Sequence, residues 1–100
     1  MRTTDEIAIA TKHRKAYGVH AMITGSQIRA ARALLGWTSD HLAKESGVSY
    51  ATISKIEQHA GVPPVKATTL AEIGEALERG GVMFLSQGDI RSGGPGVRLR

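Results

Sequence analysis

The chain has 100 residues, enough for one domain with a small core, and its 13 basic and 9 acidic side chains leave a net charge of +4. That mild excess permits a nucleic-acid partner without demanding one. Cysteine and asparagine are absent, which excludes a disulfide framework, a thiolate metal site and N-glycosylation. No apolar run approaches the ~20 residues of a membrane span. Asp5, Glu6 and Lys12 interrupt any signal-peptide core behind Met1, so a cytoplasmic protein is expected.

Residues 1–21 form an N-terminal extension. Thr4 is placed to cap a helix with Asp5 and Glu6 in its first turn, Lys12, Arg14 and Lys15 at its far end and Gly18 as its stop. Ile7, Ala8, Ile9 and Ala10 make no clean stripe. Three readings stand: a frayed extension, a basic arm along a DNA backbone, or a natural start at Met22. Beyond it, Thr24 and Gln27 make a T-x-x-Q capping box. The first helix of the domain is expected from about Gly25 to Leu35, with Ile28, Ala31 and Leu35 facing inward and Gly36 ending it. Trp37 follows as an anchor at the edge of the core.

Ser39 to Gln58 reads as two short helices joined by a tight turn. Thr38 caps the first and Ser49 the second, because each side chain accepts a bond from an orphan N–H. Gly47 falls where a helix end wants a positive φ. Leu42 and Ala43 form the inward side of the first helix, Val48 is the apolar residue of the turn, and Ile53 and Ile56 lie one helical turn apart on the second. Such a unit places its second helix in the DNA major groove. The side chains at the exposed start of that helix are Tyr50, Ala51, Thr52, Ser54 and Lys55, the candidates for reading base edges. Ala51 offers a methyl to thymine, Lys55 a donor to guanine, and Tyr50 either a thymine contact or a phosphate bond.

His59 to Pro64 must be a loop, since its two prolines forbid a continuing helix. A helix is expected over about Ala67 to Arg79, with Leu70, Ile73 and Leu77 as its stripe and Gly74 marking a close helix contact. After Gly80–Gly81, Val82 to Leu85 reads as a strand, Ser86 to Pro95 as a glycine-rich loop, and Gly96 to Arg100 as a half-buried strand. His41 and Glu45, four apart, are a surface pair rather than a metal site. Asp40 beside Ser39 and His41 is no catalytic set, because helix neighbours point apart. No cofactor, metal or enzymatic chemistry is expected.

Leu42, Ala43, Gly47, Val48, Ser49, Ile53, Ile56 and Glu57 stand at the spacing of the phage-repressor (Cro/repressor, XRE-type) helix-turn-helix proteins, which the chain resembles from about Ile23 to Leu77. The ending G-G-P-G-V-R-L-R resembles that of a group of short regulators. The resemblance implies a mainly α fold, a compact four-helix repressor-like DNA-binding bundle over residues 22–80; the strand patterns above put a C-terminal two-stranded β segment over residues 81–100 where the family has a fifth helix. It implies an ion pair between Arg32 and Glu57 and phosphate contacts from Ser39, Ser49 and Gln58. Ser39 reaches less far than the glutamine common there, and the His59–Pro64 loop lacks the family's basic residues. The implied function is sequence-specific binding of double-stranded DNA by a transcriptional regulator. A homodimer is expected to pair through Phe84, Leu85, Val97 and Leu99. The alternatives are an antitoxin that also masks a toxin partner, and a protein-interaction module that has lost DNA binding.

Overall fold

Three of the four α-helices among the described residues start at a side chain that satisfies a free N–H of the first turn. The computed structural model describes residues 20–86 and 93–100; the readings of residues 1–19 and of 87–92 lie outside them. A short 3-10 turn at His20–Met22 precedes α1 (Gly25–Leu35), α2 (Ser39–Ser46), α3 (Tyr50–Glu57) and α4 (Ala67–Gly80), and β1 (Val82–Leu85) and β2 (Gly96–Leu99) close the chain. Thr24 and Gln27 bond each other's backbone N–H at 3.0 and 2.8 Å, completing the capping box of α1. Thr38 and Ser49 accept from the N–H of His41 and Thr52 at the starts of α2 and α3. Gly36 and Gly47 end α1 and α2 with φ of 68° and 75°, a left-handed geometry that costs glycine little.

The apolar stripes of the helices meet in one core. Ile28, Leu42, Ile53, Ile56, Leu70, Ile73, Leu77 and Val82 are its fully buried large side chains. Each such side chain contributes on the order of 1.5–3 kcal/mol by leaving water. Ala43, Leu35 and Trp37 pack against this core from its edge. Gly80 makes room for Trp37, since a Cβ there would lie 2.6 Å from the indole ring.

Gly74 does mark a close contact, but the neighbour is the imidazole of His20 rather than another α-helix. A Cβ on Gly74 would lie 2.5 Å from that ring. His20, grouped by sequence with the extension, is 4 % exposed. Its Nε2 lies 2.8 Å from Glu78 Oε1 on α4, and its ring meets Phe84 edge-on at 6.3 Å. The 3-10 turn is thereby part of the packed domain.

β1 and β2 pair antiparallel with Val82 opposite Leu99, Met83 opposite Arg98, Phe84 opposite Val97 and Leu85 opposite Gly96. Directly opposed residues share a face, so Val82, Phe84, Val97 and Leu99 line one side and Leu85 the other. Of the four residues expected at a dimer interface, Phe84, Val97 and Leu99 therefore share a face and Leu85 lies on the other. Phe84 is committed to its own core at 7 % exposure, Val97 packs against that core, and Leu99 is 50 % exposed. Gln27 fastens the hairpin to α1: its Nε2 donates to Leu85 O at 3.0 Å and Gly96 O at 2.9 Å.

Candidate nucleic-acid interface

α3 is divided lengthwise. Ile53, Ile56 and Glu57 are buried, and Tyr50, Ala51 and Lys55 are exposed, with Thr52 and Ser54 half-buried between them. Gln58, which caps the C-terminal end of the helix, is exposed too. The two flanks differ. Thr52 Oγ1 accepts from Ser49 Oγ at 2.9 Å, and Thr52 borders a shallow groove with Pro64, Val65, Lys66 and Thr69 at the start of α4. Tyr50 lies near enough to Arg32 to act on its charge.

A bidentate ion pair sets the rotation of α3. Arg32 donates from Nη2 to Glu57 Oε1 at 2.8 Å and from Nε to Glu57 Oε2 at 3.0 Å. Its Nη1 donates to Trp37 O at 3.0 Å, so one guanidinium joins α1, the α1–α2 link and the end of α3. Donating to the Glu57 carboxylate holds the Arg32 guanidinium above its ordinary pKa, and burial opposes the shift. Glu57 is 8 % exposed, which removes competing water and favours the fork geometry. Arg29, by contrast, is exposed, and its Nη2 donates to Ser26 Oγ at 3.1 Å.

The backbone around this face is held as well. The N–H of Gly25 donates to Gly61 O at 3.0 Å, and a Cβ on Gly25 would lie 2.0 Å from His59 O, so the loop after α3 lies directly against the start of α1. At the start of α2, Ser39 is half-buried, and Asp40 adds a carboxylate to the same turn. That carboxylate opposes a phosphate at this helix start. Ser49 Oγ is engaged twice, by Thr52 N–H and Thr52 Oγ1.

Lys66 escaped the reading of the chain by spacing. It is exposed at the N-cap of α4 and lines the groove with Thr52. The signal was a lysine two residues past Pro64, where a chain released from the prolines turns back towards α3. His41 Nε2 and Glu45 Oε1 are 3.6 Å apart on the surface, and the His41 ring meets Trp37 edge-on at 4.6 Å. Among the described residues no third His, Asp or Glu joins them to hold a metal. No described helix is long and apolar enough to cross a membrane.

The family model described as helix-turn-helix matches residues 28–79, from the core-facing Ile28 of α1 to the end of α4. No curated relative matches the chain. The match spans more than half of the 100 residues and contains both capped helices, the Gly47 turn and the Arg32–Glu57 pair. The chain therefore belongs to the XRE-type (Cro/repressor) helix-turn-helix family and is a DNA-binding transcriptional regulator.

Proposed function

We propose that this regulator reads operator sequence in the major groove with α3 and binds as a homodimer. The observation that carries the reading is the lengthwise division of α3: Ile53, Ile56 and Glu57 anchor one side, leaving Ala51 and Lys55 at the centre of the other. Ala51 contacts a thymine methyl, Lys55 donates to guanine O6 or N7, and Ser54 reaches an adjacent base edge. Tyr50 flanks them as a phosphate or thymine contact. Thr52, tied to its cap, sits at the margin of the reading face and serves the backbone together with Lys66. Gln58 and Ser39 are the further phosphate contacts, whereas the Asp40 carboxylate weakens the pull of the α2 start on a phosphate and Ser49 reaches one only by giving up its bond to Thr52. Lys66 supplies the positive charge that the His59–Pro64 loop lacks. One copy covers too few base pairs for a unique site, so two-fold pairing on a palindrome is expected.

Selection of bound sequences from random duplex DNA tests this reading. The expected result is a palindromic consensus with half-sites one helical turn apart, about 10 base pairs. Recovery of unenriched sequence would refute sequence-specific reading.

A further inference from the structure

We propose that Gly25 is a positioning residue for DNA recognition: the absence of a side chain at the start of α1 sets the position of α3 along α1, and with it the placement of the reading face in the major groove. The inference rests on the major-groove reading above and deepens it. Gly25 is the first residue of α1, is buried, and has the negative φ of an ordinary helix. Conformation therefore does not call for glycine there, and alanine would favour the helix. Space does call for it. A Cβ on Gly25 would overlap two backbone atoms, the carbonyl oxygens of Ile56 and His59. The Cα hydrogen in its place faces those oxygens, the arrangement of a weak C–H···O contact. The Gly25 N–H donates to Gly61 O at 3.0 Å. One residue thus touches the last turn of α3 and the loop that leaves it.

Two points on α1 hold the end of α3. Arg32 follows Gly25 by seven positions, two helical turns on the same face and about 10 Å along the axis. It grips the Glu57 carboxylate with two hydrogen bonds. That pair fixes rotation but tolerates a slide, because a long side chain can follow its partner. The contact at Gly25 does not tolerate one, since backbone meets backbone with no rotamer between them to give way. A side chain at residue 25 forces the junction open by about an ångström. The eight residues of α3 then move as one short helix. Lys55 can bend to keep its base, but Ala51 and Ser54 are too short to follow. The phosphate contact at Lys66 belongs to α4, so α3 meets the bases in register only through its place in the bundle.

Gly25→Ala tests the assignment against Thr24→Ala, which removes the cap of the same helix without adding an atom at the junction. Both are compared with wild type on the selected operator and on an unrelated duplex, at a temperature where all three are folded. Gly25→Ala is expected to lower the ratio of the two affinities roughly 10-fold. Thr24→Ala is expected to lower the thermal midpoint and leave the ratio unchanged. An unchanged ratio for Gly25→Ala overturns the positioning role. An equal fall for both variants marks a general loosening of the α1 start and overturns it too. A wild-type chain that does not discriminate between the duplexes refutes the reading by α3 itself, and the inference falls with it. A second measurement needs no variant to fold. Nuclear Overhauser contacts between the Gly25 Hα and residues 56–61 are expected to persist in the intact protein when the operator is added. Their loss on binding would mean that α3 slides along α1 as it docks, and a junction that slides positions nothing.

Discussion

Arg32 and Glu57 are the residues on which the orientation of α3 depends most. Removing Arg32 strands the Glu57 carboxylate, which is shielded from water, at a cost on the order of 3 kcal/mol, and removing Glu57 leaves a partly exposed guanidinium at a smaller cost. Arg32→Ala and Glu57→Ala are expected to lower the thermal midpoint well below that of Arg29→Ala, whose side chain is exposed and worth ~0–1 kcal/mol. Equal midpoints for all three variants would mean that the pair does not secure the helix. Gly74 allows a sharper test. Alanine in a helix interior normally gains ~1 kcal/mol over glycine, yet here the added Cβ would lie 2.5 Å from an imidazole held by Glu78. Gly74→Ala is expected to destabilise the wild-type protein and to stabilise the His20→Ala variant. A double-mutant cycle on thermal unfolding measures that coupling, and additive effects would contradict the packing described.

At the scale of elements, α1 and the hairpin act as one unit through Gln27. Its side chain caps the helix and holds the last β pair, with bonds to Thr24, Leu85 and Gly96. Gln27→Leu removes those bonds at a cost of ~1–3 kcal/mol. The expected signature is faster amide exchange at Thr24 and along β1 and β2, with α3 protected as before; uniform loss of protection would mean that the hairpin is no separate unit. Deleting residues 81–100 is a poor probe of the dimer, because it also takes the buried Val82 and Phe84 out of the core.

Much of this was legible in the sequence because it is local. Caps at Thr24, Thr38 and Ser49, and the turn at Gly47, depend on residues within four positions of one another. The partner of Gly74 was not legible, since His20 is brought there by the fold and no periodicity links them. For the same reason Gln27 read as a cap alone, and Phe84 read as free for a partner when the sheet had already turned it inward. The reading face of α3 was legible as a face. The engagement of Thr52 with Ser49, and the position of Lys66 beside it, required the packing of α4.

For the whole molecule, affinity and specificity are assigned to different residues. Lys55 is exposed on α3, and Lys66, at the start of α4, lines a groove with Thr52 of α3. A base contact discriminates by ~1–3 kcal/mol, whereas a phosphate contact adds affinity for any sequence and about one unit of salt slope. The most direct measurement is the affinity of wild type, Lys55→Ala and Lys66→Ala for the selected operator and for an unrelated duplex, each across a series of salt concentrations. The account predicts that Lys55→Ala loses roughly 10- to 100-fold on the operator and far less on the unrelated duplex, while Lys66→Ala weakens both alike and flattens the salt slope. Equal losses on both duplexes for Lys55→Ala would contradict the claim that α3 reads the sequence.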